Sequence, residues 1–241
     1  MAAKFYGPNL ARVHHEDFGA FARAAALTLV ELLGIRDANE GPVVDLGSGS
    51  GIMAKELTER GYAVHGFDVS PEMVKLARSI APKAKFSQGS AHRAKLPRCV
   101  AVTAIGEVLG YQNPKDKKPP SLANTFRQIF AALRPGGVFL FDLAGPGRSR
   151  GGYQRFVETE RWSMHLAVSE EQLHLERRIT LFAKKNKATY ERTQETHELV
   201  LAKPLDVLDD LRGAGFKARA IRGYANLELP SGWSAFVARK S

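Results

Sequence analysis

Apolar and polar residues follow two different periods in the first half of the chain. Over residues 18–33 the apolar positions recur every three or four residues, which predicts an amphipathic helix after an aperiodic loop at 1–10. Short apolar runs typical of buried strands occur at 43–47, 63–67, 84–87, 100–105 and 138–143. Helices are predicted between these runs at 52–60, 70–81 and 122–133. Strands separated by helices need crossover connections, so we predict a mostly parallel α/β sheet.

The pattern changes after residue 143. Residues 145–152 form a glycine-rich basic loop, and the chain beyond it alternates in polarity or is rich in strand-forming residues. We predict three antiparallel strands of an inserted sheet there, at 156–168, 173–183 and 188–201. A helix and a strand pair then close the chain at 204–214, 216–221 and 234–239. The predicted single domain therefore consists of a helical segment, a core, an inserted sheet and closing elements, at 1–40, 41–143, 144–203 and 204–241.

Composition narrows the class of protein. A hydrophobic fraction of 44% and a charged fraction of 25% exclude a disordered or collagen-like chain. The single cysteine, Cys99, excludes an internal disulfide and a multi-cysteine zinc site. We predict no metal site, because the adjacent residues His14-His15-Glu16-Asp17 do not face one direction on a helix. No apolar run is long enough to span a bilayer and no signal-peptide pattern is present, so we expect a cytoplasmic protein.

The chain has a formal net charge of +10, and one stretch, residues 73–106, contains basic residues but no acidic ones. No acidic residue stands between Glu72 and Glu107. The basic residues of that stretch are Lys75, Arg78, Lys83, Lys85, Arg93, Lys95 and Arg98. A basic face attracts nucleic acid or an anionic substrate. We interpret this one as a solvated surface and keep nucleic-acid binding as the alternative.

A glycine-rich segment, Asp45-Leu46-Gly47-Ser48-Gly49-Ser50-Gly51, follows the first predicted strand and opens a helix. Glycines let the backbone pass close beneath a ligand, and the amides at the helix start face that ligand. Asp68 ends the next predicted strand. A carboxylate at that place accepts hydrogen bonds from both ribose hydroxyls of a nucleotide-type ligand.

The spacing of these glycines separates two cofactor classes. A dinucleotide fingerprint has glycine at its first, third and sixth positions. Here the glycines stand at the first, third and fifth positions, and the sixth is Ile52. Asp45 would repel a phosphate, and it suits a cationic ligand such as a sulfonium that carries an ammonium group. The segment therefore argues against a nicotinamide cofactor.

Three motifs, at 43–51, 66–73 and 133–138, resemble those of the class I S-adenosylmethionine-dependent methyltransferases. The resemblance covers roughly residues 40–143 and, more loosely, the final strand pair. It implies a seven-stranded, mostly parallel Rossmann-like sheet with its last strand antiparallel, and S-adenosylmethionine as the cofactor. The cofactor-binding residues that it implies are Asp45, Gly47, Ser48, Gly49, Gly51, Asp68, Val69, Met73, Ser90, Ala91, Ile105, Gly106 and Glu107. Ser90 stands where the family often has Asp, which weakens the implied contact with the adenine amine.

Glu107 is the candidate catalytic residue, because it follows the fourth strand at the carboxyl edge of the sheet. There Glu107 would orient or deprotonate an acceptor, or contact the amine of the cofactor's methionine part. The alternative is that Glu107 is a carboxylate at the start of a helix, stabilised by the helix dipole. The candidate acceptor-binding residues are Tyr111, Arg148, Arg150 and Tyr224. The segment 144–203 resembles the β caps of small-molecule members of the family. We therefore predict in-line methyl transfer to a small-molecule acceptor.

Two other functions stay open. An RNA or protein methyltransferase would use the basic surface, but the sequence after the fourth strand reads Gly106-Glu107-Val108-Leu109 and lacks the Asn/Asp-Pro-Pro-aromatic motif common in nucleic-acid base methylators. A nicotinamide-dependent reductase or an inactive nucleotide-binding module is the third possibility. Ile52 argues against the reductase.

Overall fold

A computed structural model describes residues 5–17, 19–33, 40–112 and 121–241, with only the backbone given for Asp17. Its helices are α1 (Pro8–Asp17), α2 (Ala20–Leu33), α3 (Ile52–Glu59), α4 (Pro71–Ile80), α5 (Leu122–Ala132) and α6 (Pro204–Gly213). Its strands are β1 (Val43–Leu46), β2 (Val64–Asp68), β3 (Lys85–Gln88), β4 (Cys99–Ala104), β5 (Leu133–Ala144), β6 (Tyr153–Glu158), β7 (Trp162–Glu171), β8 (His174–Lys184), β9 (Tyr190–Val200), β10 (Phe216–Ile221), β11 (Gly223–Tyr224), β12 (Leu227–Glu228) and β13 (Trp233–Lys240).

Seven strands form the main sheet, in the order β10-β13-β5-β4-β1-β2-β3. The first five strands of the chain run parallel to one another, and β13 runs antiparallel to both β5 and β10. The predicted fold class is confirmed: the sheet is mostly parallel, with its last strand reversed. The carboxyl ends of β1, β2 and β4 therefore meet at one edge, where open α/β sheets bind their ligands.

Helices cover both faces of this sheet and bury two apolar clusters. Residues of α2, α3 and α4 pack on one face, and residues of α5 and α6 pack on the other. Along β5, Val138 and Leu140 belong to the first cluster, whereas Phe139 and Phe141 belong to the second. Alternate side chains of a strand point to opposite faces, so a strand covered on both sides is apolar throughout. This explains why the strands appear in the sequence as continuous apolar runs.

The second sheet contains four antiparallel strands, β6 to β9, and not the three that the sequence predicts. The predicted strand at 156–168 is interrupted by a tight turn. Thr159 forms this turn, because its backbone N–H donates to the carbonyl oxygen of Trp162 at 2.8 Å and its Oγ1 accepts the N–H of Trp162 at 3.0 Å. The interruption makes β6 and β7 a hairpin.

Other boundaries also differ from the prediction. The predicted loop at 1–10 is shorter than expected, because α1 begins at Pro8. The helix predicted at 18–33 begins at Ala20; Phe18 lies outside the described residues. Proline is favoured in the first turn of a helix, which accounts for the earlier start. β5 begins at Leu133, earlier than the predicted start at 138, because Leu133 pairs with Cys99 of β4; the register then shifts, and the pairing resumes between Ala101 and Val138. The loop predicted between the closing strands contains the short hairpin β11-β12.

The second sheet lies next to the carboxyl edge of the main sheet. Tyr111, which follows β4, forms a bridge with Leu199 of β9, and the N–H of Gln112 donates to the carbonyl oxygen of Glu198 at 2.8 Å. Leu10 and Val13 of α1 pack against an apolar cluster on the same sheet. The end of β4, the second sheet and α1 are thereby held together. Among the described residues, none of the helices has the length and apolar character needed to cross a membrane.

Candidate active site

The glycine-rich segment connects β1 to α3 through left-handed backbone conformations. Gly47 and Gly49 have φ angles of 66° and 51°. A Cβ at Gly47 would clash with a methyl carbon of Val108, whereas a Cβ at Gly49 would have no described atom within 4 Å. Gly47 is therefore required by packing within the protein. Gly49 borders open space, which is the side from which a ligand can approach the backbone.

Asp68 connects the glycine-rich segment to the end of β2 by hydrogen bonds. Its Oδ2 accepts the N–H of Gly49 at 2.8 Å, and its Oδ1 accepts the N–H of Ser70 at 2.8 Å. Burial raises the pKa of Asp68, and these two backbone donors oppose the rise. Ser70 in turn caps α4 by accepting the N–H of Met73 at 3.2 Å. The structure thus brings together the glycine segment and the carboxylate that the sequence singled out.

Asp45 lies beside this segment and is almost completely buried. Its Oδ1 accepts the hydroxyl of Thr103 at 2.7 Å. The pKa of Asp45 is raised to about 7, mainly by burial and in smaller part by the negative charge of Asp68, while the hydrogen bond from Thr103 opposes the rise. In the described parts of the chain, neither carboxylate forms an ion pair with Lys or Arg. A cationic ligand in this place would supply the missing positive charge.

The residues predicted to flank the adenine lie after β2 and β3. Val69 is exposed, with 41% of its surface accessible, and its carbonyl oxygen accepts the side-chain N–H of Gln88 at 3.1 Å. Ser90 is half-buried and accepts the backbone N–H of His92 at 3.3 Å, while the neighbouring Ala91 packs against the core. Met73 is fully buried inside α4. Val69 and Ser90 therefore have accessible surface for a ligand, and Met73 has none.

Asp142 of β5 organises the turn that follows β4. This carboxylate is fully buried and accepts the backbone N–H groups of Gly106 and Glu107. It also accepts the hydroxyl of Tyr224 at 2.7 Å and the indole N–H of Trp233 at 2.8 Å. Burial raises the pKa of Asp142 to about 6, although the four hydrogen-bond donors act to lower it. Asp142 was not among the predicted site residues, although an acidic residue inside an apolar strand is a signal of a buried polar cluster.

Glu107 has a left-handed backbone, with φ of 62°, and its side chain is buried between two arginines. Its Oε1 accepts Nε of Arg148 at 3.1 Å, and its Oε2 accepts Nη2 of Arg177. Glu107 is the N-cap residue of the short helical turn that follows, but its side chain makes no capping hydrogen bond there and binds the two arginines instead. A non-glycine residue held in this conformation stores strain, which is common at functional sites.

A chain of hydroxyl groups continues from this ion pair. Nη1 of Arg177 lies 3.4 Å from the hydroxyl of Tyr111, which lies 3.1 Å from the hydroxyl of Tyr6. The guanidinium of Arg148 stacks 5.0 Å from the ring centre of Trp233. The structure thus assembles the predicted residues Glu107, Tyr111 and Arg148. It adds Arg177 and Tyr6, which sequence reasoning missed because they come from distant segments.

Two predicted acceptor residues do not join this group. Arg150 is exposed in the turn region after β5. Tyr224 has no exposed surface, because its ring lies in the core and its hydroxyl is bound to Asp142. Their placement gives the acceptor-binding prediction no support.

The N-terminal segment covers the glycine-rich segment. The carbonyl oxygen of Tyr6 accepts the hydroxyl of Ser70 at 3.0 Å, and Nδ1 of His15 lies 2.9 Å from Oγ of Ser50. Glu195 of β9 accepts the backbone N–H groups of Tyr6 and Gly7 at 2.7 Å and 2.8 Å. Side chains of the main sheet, the second sheet and the N-terminal segment therefore surround one site.

Comparison with known proteins agrees with this architecture. A family model described as a methyltransferase domain matches residues 43–137. A putative methyltransferase of Geobacillus sp. is 25% identical over 214 residues, which cover 82% of this chain and 84% of that protein. An S-adenosylmethionine-dependent methyltransferase from Clostridium acetobutylicum superposes with a TM-score of 0.81 at 15% identity, over 97% of this chain and 98% of that one. The sugar N-methyltransferase KedS8 from Streptoalloteichus sp. superposes with a TM-score of 0.75 at 19% identity, over 100% and 94% of the two chains.

These similarities agree with the predicted class: residues 43–137 match a methyltransferase domain, and the whole chain has the fold of a class I methyltransferase with a Rossmann-like core. The comparisons support S-adenosylmethionine as the cofactor. The open side of Gly49 fits that cation, as do the two carboxylates, which have no Lys or Arg partner among the described residues.

Proposed function

We propose that this enzyme methylates a small polar acceptor that binds between the carboxyl edge of the main sheet and the second sheet. The convergence of three parts of the chain on one place carries the proposal. Tyr6 of the N-terminal segment, Tyr111 after β4 and Arg177 of β8 are joined by hydrogen bonds, and Arg177 binds Glu107. A site bordered by three converging elements admits a small molecule more readily than a folded RNA or protein. The structural similarity to a sugar N-methyltransferase supports a small polar acceptor.

The methyl donor would lie along the glycine-rich segment. In this placement Asp68 accepts the ribose hydroxyls, and Val69, Ser90 and Ala91 flank the adenine. Asp45 faces the positive charge of the donor, while Ile105 and Gly106 border its methionine part. The donor supplies a methyl group on a good leaving group, so the protein contributes mainly alignment and exclusion of water.

Donor binding is expected to release protons from Asp45 near pH 7. With a pKa of about 7, Asp45 is partly protonated in the donor-free protein. The positive donor favours the ionised carboxylate and lowers this pKa, so about half a proton should leave per donor bound at pH 7. Calorimetric titration in two buffers of different ionisation enthalpy measures this number. Asp45→Asn should abolish the release, and an unchanged release in that variant contradicts the prediction.

The substitution Tyr224→Phe distinguishes a structural from an acceptor-binding role. Loss of the buried hydrogen bond to Asp142 should lower the free energy of unfolding by about 1–2 kcal/mol. KM for the acceptor and kcat should stay within about twofold of the wild type. Urea unfolding measures the first quantity, and Tyr190→Phe, at an exposed tyrosine, is the matched control. A raised KM with unchanged stability would restore Tyr224 to the acceptor site.

A fractionation experiment tests the class of acceptor. The enzyme and methyl-labelled S-adenosylmethionine are incubated with a cell extract separated into low-molecular-mass, RNA and protein fractions. We expect label in the low-molecular-mass fraction, and none in a parallel reaction with Asp68→Ala. The seven basic residues of 73–106 are exposed around α4 and β3. Label in RNA, lost at high salt, would replace the proposal with the nucleic-acid alternative.

A further inference from the structure

A row of residues on β9 faces the proposed acceptor site. Glu195, His197 and Leu199 are buried or half-buried, whereas the residues that alternate with them are exposed. His197 pairs directly with Arg177 of β8 across the second sheet. Residues paired in this way have neighbouring side chains on one face of the sheet. The imidazole of His197 therefore lies beside the guanidinium that binds Glu107.

The carboxylate of Glu195 sets the tautomer of His197. Its Oε2 lies 2.9 Å from Nε2 of His197, and the same carboxylate already accepts the backbone N–H groups of Tyr6 and Gly7. A carboxylate bound by backbone donors acts as an acceptor toward the imidazole as well. The ring proton of neutral His197 is therefore assigned to Nε2, which leaves the lone pair on Nδ1.

Among the described residues, Nδ1 of His197 has no hydrogen-bond partner, although the residue is completely buried. A buried polar atom without a partner is uncommon and calls for an explanation. The rings of Phe5, Tyr6 and Tyr111 surround the imidazole, with centres 5.4, 5.0 and 5.7 Å away. Tyr111 also connects this group to the segment that carries Glu107. An oriented, unsatisfied acceptor thus stands beside the residues proposed to hold the methyl acceptor.

We propose that His197 is the general base of the methyl transfer and that Glu195 is its positioning residue. This inference rests on the proposed function and specifies the chemistry of the acceptor. The acceptor carries a hydroxyl group or an ammonium group, and its nucleophilic lone pair forms the new bond only with loss of a proton, before attack for the ammonium and during attack for the hydroxyl. A thioether, which has no such proton, would leave Nδ1 without a role.

The proposed step balances in atoms and charge. A lone pair on the acceptor oxygen or nitrogen forms the bond to the methyl carbon. The bond between that carbon and the sulfonium sulfur breaks, and both of its electrons go to sulfur. The proton of the acceptor passes to Nδ1 of His197, before attack for an ammonium and during attack for a hydroxyl. The positive charge of the sulfonium is thus replaced by that of an imidazolium, which the carboxylate of Glu195 stabilises.

The charge states of the groups around His197 are compatible with proton transfer to its imidazole. The titratable groups that face His197 are Glu195 on β9, Arg177 on β8, Tyr111 after β4, and Tyr6 and His14 at the N-terminus. Burial lowers the pKa of His14 to about 4, so His14 is neutral near pH 7. Burial raises the pKa of both tyrosines, which stay neutral as well. The charged groups beside the imidazole are therefore the carboxylate of Glu195 and the guanidinium of Arg177.

Variants of His197 and Glu195 test the proposal in the full-length enzyme. The assay follows label from S-adenosylmethionine into the low-molecular-mass ultrafiltrate between about pH 6 and pH 9. His197→Gln should lower kcat by about 100-fold or more and remove the acidic limb of the rate profile. Glu195→Gln keeps the shape of the side chain but presents an N–H to Nε2 of His197, so the ring proton moves to Nδ1. We expect kcat to fall by a similar factor. Thr196→Ala, on the exposed side of β9, should retain activity.

Two measurements separate a chemical role from a structural one. Calorimetric donor affinity and the thermal midpoint should remain at the wild-type values in His197→Gln. A kcat within about threefold of the wild type, with the acidic limb retained, overturns the proposal. Nitrogen NMR of the wild type reports the tautomer without any acceptor, and a ring proton on Nδ1 also overturns it. If the wild type transfers no label at all, the proposed function fails, and the NMR result alone decides on His197.

Discussion

Replacing Asp68 by alanine is expected to raise the dissociation constant of S-adenosylmethionine by about 100-fold or more. The substitution removes the acceptor that holds the N–H groups of Gly49 and Ser70, each at 2.8 Å. It also removes the charge-assisted hydrogen bonds proposed for the ribose. Each such bond contributes about 1.5–3 kcal/mol, and 1.4 kcal/mol corresponds to a factor of ten in affinity. Calorimetric titration of the wild type and the variant measures the difference.

Controls make this result specific to the site. Asp206→Ala removes an exposed carboxylate from α6 and should leave donor affinity unchanged. Asp68→Asn keeps one acceptor oxygen, so an intermediate affinity is expected. NADH should not bind, because the glycine spacing does not match a dinucleotide site. Equal donor affinity in wild type and Asp68→Ala would refute the proposed placement of the ribose.

Replacing Asp142 by alanine is expected to lower the free energy of unfolding by about 3 kcal/mol or more. The variant leaves four donors without their acceptor, and buried donors cost about 1–3 kcal/mol each when unsatisfied. The turn that carries Glu107 loses its anchor at the same time, so methyl transfer should fall together with stability. Urea unfolding gives the free energy, and the transfer assay gives the activity.

The matched control for this substitution is an aspartate at the surface. Asp209 is exposed and pairs only with Arg212 on α6, among the contacts described, so Asp209→Ala should change stability by no more than about 0.5 kcal/mol. Asp142→Asn keeps the size of the side chain and one acceptor oxygen, so its loss should be smaller than that of alanine. If Asp142→Ala unfolds at the same urea concentration as the wild type, these four hydrogen bonds are not important for stability.

The cofactor half of the site could be predicted because its residues are close in sequence. The glycine-rich segment lies between a strand and a helix that the hydrophobic pattern identifies, and Asp68 ends the next strand. In a parallel sheet, adjacent strands end at the same edge, so the two features must meet there. Ser70 followed by Pro71 likewise marks the start of α4. The particular contacts of these residues with S-adenosylmethionine stay predictions.

The acceptor half could be predicted only in part. Glu107 and Tyr111 were found because they follow β4, and Arg148 because it follows β5. Tyr224 was predicted beside them, since a sequence does not show that its hydroxyl bonds to a carboxylate 82 residues away; its role in acceptor binding stays a prediction. The extra strand of the second sheet was missed because one tight turn divides a continuous strand-like segment.

The sequence by itself determined the class of fold, the order of its main-sheet strands along the chain and the glycine-rich segment with Asp68. These features depend on local periodicity, on glycine positions and on short spacings. Only the tertiary structure decided which residues of the second sheet face the site. Alternation along β9 allows either face to point inward, and pairing with β8 puts His197 opposite Arg177. The contact of Glu195 with Tyr6 spans 189 positions, so it arises from packing of the two sheets and α1 and leaves no local pattern.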